Sequence, residues 1–449
     1  MMRGGLSRAA VIAGALFAST ILSGCGAGMY SDAGKPVTIA AAAIQGVVMG
    51  GQQPVAGVTV QLYQAGTTGY GSAATPLGPS VETTASGNFN LPSYTCAAGS
   101  QVYLVGTGGQ PIAATMSSPA VTNNNLAMMV GLGTCGGTYL NNFINVNELT
   151  TVATVWALAP FMTGIANIGS SSTNAAGLAD AFAAINQLVA TANGTLPGPT
   201  LPAGATLPTT EINTLGDILE QCINSGGGTA GDSSNCGNLF ELAPNAGGTV
   251  YPADTITAAM NIAQSPGRNV ANLNKLRSSS PVFQPALNVN SPPSAWTIAI
   301  TYVGGGLSTP SSIATDATGA VWVSNKGNAS VTKLNNTGAA VSGASGFTAG
   351  GFSAPSAIAI DSSGNAWVTN SVNNTVTELN STGSSGSVYS SNGLSAPGSI
   401  AIDGSGDLWI ANAGSNSVSA FTSSGAALTG SPYSGAGTSA PASVAVTPK

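Results

Sequence analysis

No histidine occurs in the 449 residues, and only 9 basic and 15 acidic side chains are present. Without histidine the chain cannot assemble a Ser-His-Asp triad, a Cys-His dyad or a His-ligated zinc site. Charged residues make up 5% of the sequence, against about 25% in an ordinary soluble domain. So few cations, with a pI of 4.4, also exclude a phosphate-neutralising nucleic-acid surface. Aromatics are scarce, at 6%. Glycine is abundant at 61 residues, and 43% of the chain is hydrophobic. That is enough apolar material for packed cores and sets the chain apart from a disordered polymer. The length suggests about three domains.

The N-terminus reads as a targeting segment. Arg3 and Arg8 precede an apolar run from Ala9 to Leu22, too short as a helix to cross a hydrocarbon core of about 30 Å comfortably. It has the form of a secretory signal. The run ends in Leu22-Ser23-Gly24-Cys25, which resembles the bacterial lipobox. This resemblance implies that Cys25 becomes the lipidated mature N-terminus, with several acyl chains holding the protein to a membrane. Gly26 and Ala27 follow, without an Asp to signal inner-membrane retention, so the expected location in a Gram-negative cell is the outer membrane. Residues 26–36 read as a tether.

Four further cysteines remain: Cys96, Cys135, Cys222 and Cys236. An even number in an exported chain favours two disulfides, for which three connectivities exist. Local pairing within each segment is the expectation. No CxxC knuckle is present, so a metal site is not expected, and neither is a cofactor.

Periodicity divides the rest into three. From Val37 to about residue 140 the pattern is β: Gly46-Val47-Val48, Pro54 to Leu62, Asn88-Phe89-Asn90-Leu91 and Val102 to Val105 alternate or run as strands, with a turn at Thr84-Ala85-Ser86-Gly87. The motifs P-V-x-G-V-x-V-x-L and T-x-x-G-x-F-x-L resemble the carboxypeptidase regulatory-like family, a prealbumin-like β-sandwich whose members are usually non-catalytic modules. Residues 141–290 turn helical. Asn145 or Asn147 is placed to cap a helix that Pro160 ends, and Leu178, Phe182, Ile185 and Val189 share one face of another. Thr210 is expected to cap a third helix, and Asp254–Ala263 and Asn269–Leu276 add two more, which together predict a small bundle.

Residues 291–449 repeat. Pro310, Pro355, Pro397 and Pro441 are spaced 45, 42 and 44 residues apart. The first three units read PSSIATDATGAVWVSN, PSAIAIDSSGNAWVTN and PGSIAIDGSGDLWIAN. They align Asp316, Asp361 and Asp403, then Trp322, Trp367 and Trp409, then Asn325, Asn370 and Asn412. A period near 43 with several short strands per unit is the mark of propeller blades. The units resemble NHL repeats and the streptogramin-lyase-like (virginiamycin B lyase-like) propellers. The D-x-x-G run predicts a hairpin turn held by Asp, and each Trp is expected to pack between blades as repeat core. The aligned Asp and Asn are turn residues first and ligand-facing candidates second. Three units and a fragment give an incomplete ring, or a four-bladed one if Trp296–Ile300 pairs with Ser443–Val446. Lyases of this kind depend on histidine and magnesium, so the resemblance brings no activity to a chain without His.

The expected architecture is therefore multidomain: an N-terminal β-sandwich, a central small α-helical bundle and a C-terminal all-β incomplete or four-bladed propeller-like domain. The expected function is a non-catalytic cell-envelope lipoprotein that binds glycan or protein ligands through a nearly uncharged surface. It would bind no nucleic acid, and could self-associate through open propeller edges. Two alternatives stand beside it. One is a streptogramin-lyase-like or other carboxylate-dependent envelope enzyme using Asp316, Asp361, Asp403, Asp407 or Glu378; the other is a structural surface assembly. No catalytic residue is assigned.

Overall fold

The structure, a computed structural model, describes residues 37–111, 119–137, 143–435 and 437–446. The Leu22–Cys25 motif and the tether at 26–36 lie outside the described residues. In chain order the first strands are β1 (Thr38–Ala41), β2 (Ile44–Gly50), β3 (Gln53–Pro54), β4 (Thr59–Gln64), β5 (Thr75–Glu82), β6 (Asn88–Leu91), β7 (Tyr94–Ala97), β8 (Gln101–Thr107), β9 (Ala127–Thr134) and β10 (Ile144–Val146). One sheet is antiparallel and ordered β5-β4-β8-β9. In another, β2 pairs with β3 and β6, and in parallel with β10, while β1 and β7 form a ribbon. Period-two alternation holds where one face is covered. In β4, Val60 and Leu62 point inward, and in β6 Phe89 and Leu91 do so. The expected turn is present: Gly87 adopts φ +73°, and a β-carbon there would sit 2.6 Å from the Val48 carbonyl oxygen.

Strands β8 and β9 do not alternate. Almost every residue in them is buried, because helices cover the face that the other strands do not. The helical segment consists of α1 (Glu148–Leu158), a small hairpin β11 (Met162–Gly164) and β12 (Asn167–Ile168), α2 (Ala175–Leu188), α3 (Thr209–Ile223), α4 (Asn235–Leu242), α5 (Thr255–Gln264) and α6 (Val270–Asn274). Asn147 is the N-cap of α1 in a reciprocal capping box with Thr150, and Pro160 sits in the single 3₁₀ turn that ends it. Asp254 caps α5 by accepting from the Thr257 amide at 2.7 Å. Thr210 does not cap α3: the helix begins at Thr209 after Pro208, with no side-chain cap.

β9 is the edge of its sheet, and three of its amides would be unpaired without the helices. The amides of Ala127, Met129 and Gly131 donate to the hydroxyls of Thr255, Thr151 and Thr154 at 2.9, 3.0 and 2.9 Å. All three threonines are fully buried. Gly131 also lies against Phe182 and Ile185 of α2, too close to admit a side chain. The helices therefore have no separate core. A single continuous core runs from Ala41 to Trp296 and joins sheets and helices, where the sequence suggested a sandwich followed by an independent bundle. The two local disulfides, Cys96–Cys135 and Cys222–Cys236, are both present in it. No helix among the described residues is long and apolar enough to cross a membrane.

The repeats follow as three small antiparallel sheets. They are β13 (Pro310–Thr315), β14 (Val321–Asn325) and β15 (Ser330–Leu334), then β16 (Pro355–Ile360), β17 (Ala366–Asn370), β18 (Thr375–Leu379) and β19 (Gly386–Tyr389), then β20 (Pro397–Ile402), β21 (Leu408–Asn412), β22 (Ser417–Phe421) and β23 (Tyr433–Ser434). Successive blades are joined through their first strands: the Ser311 hydroxyl donates to the Pro355 carbonyl, and Ser356 to Pro397, both at 2.7 Å. Among the described residues there is no four-bladed closure. The incoming segment docks on the sheet-helix body, where the Trp156 indole donates to the Trp296 carbonyl at 2.8 Å and Thr301 bridges Thr206. Among the described residues it makes no pairing with Ser443–Val446, so the arc stays open.

Thr151→Val keeps the shape of the side chain and strands the buried Met129 amide. It is expected to lower stability by about 1–3 kcal/mol, read from chemical denaturation, whereas the same change at the exposed Thr107 at the end of β8 is expected to cost little.

Candidate functional site

The repeat residues singled out by alignment are occupied within their own blades. Oδ1 of Asp316, Asp361 and Asp403 accepts from the amide two residues on at 2.9, 2.9 and 2.8 Å. Oδ2 of each accepts from the indole of Trp322, Trp367 or Trp409 at 3.0 Å. The turn glycines Gly319, Gly364 and Gly406 adopt φ of 78°, 82° and 83°, a conformation that a side chain disfavours. Asp316 also pairs with Lys333 at 3.1 Å, and the ammonium lies 4.3 Å from the centroid of Trp322. Burial alone would raise the Asp316 carboxyl; hydrogen bonds from Thr318, Trp322 and Lys333 outweigh it and hold the group well below the ordinary carboxylate range.

Asn325, Asn370 and Asn412 are completely buried. Each accepts from a backbone amide of the loop before its blade, Ser308, Ser353 or Ser395, and donates to a hydroxyl on the third strand, Thr332, Thr377 or Ser419. These amides hold each blade together rather than face a ligand. Of the two other carboxylates considered for catalysis, Glu378 accepts from Asn365 at 3.2 Å and from the Tyr389 hydroxyl at 3.0 Å, and Asp407 lies in the third blade's turn, where its amide donates to Asp403 Oδ1 at 3.1 Å.

A cleft elsewhere has the geometry of a binding site. It measures about 470 Å³ and lies where β2, β10, the start of α1 and the start of α3 meet. Six amide side chains line it: Gln52, Asn145, Asn147, Asn193, Asn213 and Gln284. Met49, Leu149, Val282 and Phe283 supply apolar surface, and no charged side chain is in the lining. Asn147 is fixed by its capping role and by donating to the Gly194 carbonyl at 2.9 Å. Asn213 donates to the Pro285 carbonyl at 2.9 Å. Asn145 donates to the Asn193 carbonyl at 3.2 Å, while its buried carbonyl oxygen has no protein partner.

Two buried acids hold the cleft walls. Glu148 accepts from the Gly51 amide at 2.8 Å, and Asp217 from the Phe283 amide at 2.8 Å. Burial pushes Glu148 up to about 8; its backbone hydrogen bonds oppose this, and nearby Glu220 and Asp217 add to it. Burial likewise pushes Asp217 up to about 6. Both acids hold protons well above the ordinary carboxylate range, and Glu148 is mainly neutral at pH 7. Among the described residues no group of three or more Cys, Asp and Glu is arranged to hold a metal. Sequence reasoning reached Asn145 and Asn147 only as helix caps and missed the cleft, because its residues are scattered from Met49 to Gln284 with no shared spacing.

No protein-family model matches the chain, and no curated protein matches it in sequence. Among solved structures, a streptogramin B lyase is 20% identical over 31% of this chain and 44% of its own, with a TM-score of 0.26. A catalytically inactive virginiamycin B lyase from Staphylococcus aureus with quinupristin is 20% identical over 32% of this chain and 47% of its own, TM-score 0.28. Hydrazine synthase from Kuenenia stuttgartiensis is 19% identical over 32% and 40%, TM-score 0.26. The chain spans less than half the length of these three structures, and no activity transfers from them.

The buried acids set the sign of a pH dependence. Between 4.5, the ordinary glutamate value, and about 8 the folded protein holds a proton on Glu148 that the unfolded chain releases. Stability is therefore greatest below that window and falls as pH rises through it. Asp217 contributes the same slope between 3.8 and about 6. Thermal melts across this range are expected to show the midpoint falling toward alkaline pH. Glu148→Gln is expected to flatten the slope above about pH 6 and leave the Asp217 part below it.

Proposed function

We propose that the protein is an exported, lipid-anchored envelope protein that acts by binding, and that its cleft takes a neutral, hydroxyl-rich ligand of the glycan class. The observation that carries this reading is the cleft lining: six amides, apolar surface including Phe283, and no charge. Amides both donate to and accept from hydroxyl groups, and an aromatic face packs on the C–H face of a sugar ring. A charged ligand would meet no counter-charge in the lining.

The anchor rests on Leu22-Ser23-Gly24-Cys25 after a short apolar run, and two disulfides suit an oxidising compartment. The sheet-helix body would serve as the display module, in line with the resemblance of its first strands to carboxypeptidase regulatory-like domains. A carboxylate enzyme on the repeats is the weaker reading, since Asp316, Asp361 and Asp403 each bind a turn amide and an indole in their own blade.

Calorimetric titration with a panel of neutral and acidic oligosaccharides tests the ligand class. Neutral members are expected to bind, and Asn145→Ala with Gln284→Ala is expected to weaken them by about tenfold or more; preference for acidic members, or indifference to both changes, would overturn the reading. In cells fed labelled palmitate, the wild-type protein is expected to take up label and Cys25→Ser to take up none.

A further inference from the structure

A second groove opens on the sheet face that carries the amide-lined cleft. It measures about 440 Å³ and lies over β2 and β6, beside the end of β5. Gln45, Asn88, Asn90 and Glu82 line it, and all four are exposed. Phe143 lines it as well and is 48% exposed. Asn88 donates to the Ser86 hydroxyl at 3.0 Å. The side chains of Gln45, Asn90 and Glu82 meet no hydrogen-bond partner among the described residues.

Strand pairing joins this groove to the cleft. Along β2 the outward positions are Gln45, Val47 and Met49, alternating with the buried Ile44, Gly46 and Val48. Gln45 lines the groove and Met49 the cleft, and four residues of extended chain put them about 13 Å apart. Across the sheet, Val47 is paired with Asn88 of β6 on one side and with Asn145 of β10 on the other. Paired residues of neighbouring strands share a face. Asn88 belongs to the groove and Asn145 to the cleft, so one valine separates the two linings, with about 10 Å between the flanking strands. Phe143 precedes Asn145 by two residues and carries the groove along the same side of β10.

We propose that groove and cleft are two ends of one track that takes a neutral glycan chain lengthwise, with Gln45, Asn90, Glu82 and Phe143 as its second subsite. The proposal rests on the reading of the cleft as a glycan site and adds that the ligand is a chain. Each opening has the volume of a separate small-ligand pocket, so a short sugar fills one and leaves the other empty. In the groove, amides both donate to and accept from hydroxyls, and Phe143 offers an aromatic face to the C–H side of a ring. Glu82 is the one charged side chain in the lining. It accepts from hydroxyls in charge-assisted hydrogen bonds and repels acidic sugars. An extended peptide fits less well: it would add to an open strand edge, and β2, which runs under the track, is paired on both sides.

Calorimetric titration of the full chain with cello-, malto- and chito-oligosaccharides of increasing length, from disaccharide to hexasaccharide, tests the track. In the series that binds, the hexasaccharide is expected to bind at least about tenfold more tightly than the disaccharide. Phe143→Ala combined with Gln45→Ala is expected to remove that gain and leave disaccharide affinity unchanged; both side chains are exposed, so the fold does not depend on them. A readout without any variant is the side-chain amide NMR signals of Gln45 and Asn90, which are expected to shift with the hexasaccharide and stay in place with the disaccharide. Equal affinity for short and long chains, a length gain that survives the double substitution, or unmoved amide signals would overturn the track and leave the cleft reading standing. Absence of binding by every member would overturn both.

Discussion

The buried edge of β9 is the constraint on which the sheet-helix body depends. A buried strand edge with open amides is costly, since each unpaired donor loses its water without replacement. Here the Ala127, Met129 and Gly131 amides are met by Thr255, Thr151 and Thr154. Because Thr151 and Thr154 are one turn apart on α1, and Thr255 opens α5, that single edge fixes two helices at once. Gly131 then lets α2 close on the strand. The junction brings the start of α1 beside β2 and β10, and the cleft occupies that corner.

The shortage of charge has a counterpart throughout the structure. Where other proteins would use ion pairs, this one uses hydroxyl and amide side chains bonded to backbone. The repeat blades show it most clearly: Asn325, Asn370 and Asn412 are fully buried and tie strand to loop without a net charge to desolvate. The one ion pair found among the described residues, Lys333 with Asp316, sits beside Trp322 in the first blade. In the body, the buried acids Glu148 and Asp217 hold cleft walls through Gly51 and Phe283 while keeping their protons to higher pH. The cleft lining is thus neutral in both its side chains and much of its support.

Equivalent sequence positions in the arc differ in burial for a purely spatial reason. Ile358 and Ile400 are 6% and 9% exposed because each packs against the Trp of the preceding blade, whereas Ile313 is 65% exposed because no blade precedes it. At the other end, among the described residues, no following blade covers Trp409 and Tyr433 as one covers Trp322 and Trp367. Among the described residues the two ends of the arc therefore differ in which side chains they leave uncovered.

The sequence by itself determined the local events. The repeat period placed the Asp turns and Trp strands, because a D-x-x-G turn and its indole partner lie within six residues and need no distant context. Apolar stripes such as Leu178, Phe182 and Ile185 marked α2, Asn147 marked the start of α1, and the cysteines paired within their own segments. What only the tertiary structure decided was where those elements meet. Thr151 and Thr154 look like ordinary helix residues until a strand edge arrives from residues 127–131. The cleft joins amides from Gln52 to Gln284, and the docking of Trp296 on the body keeps the arc open. Turns and helix faces are encoded in short-range periodicity, but burial and site geometry depend on contacts between residues up to hundreds of positions apart, and no local pattern records them.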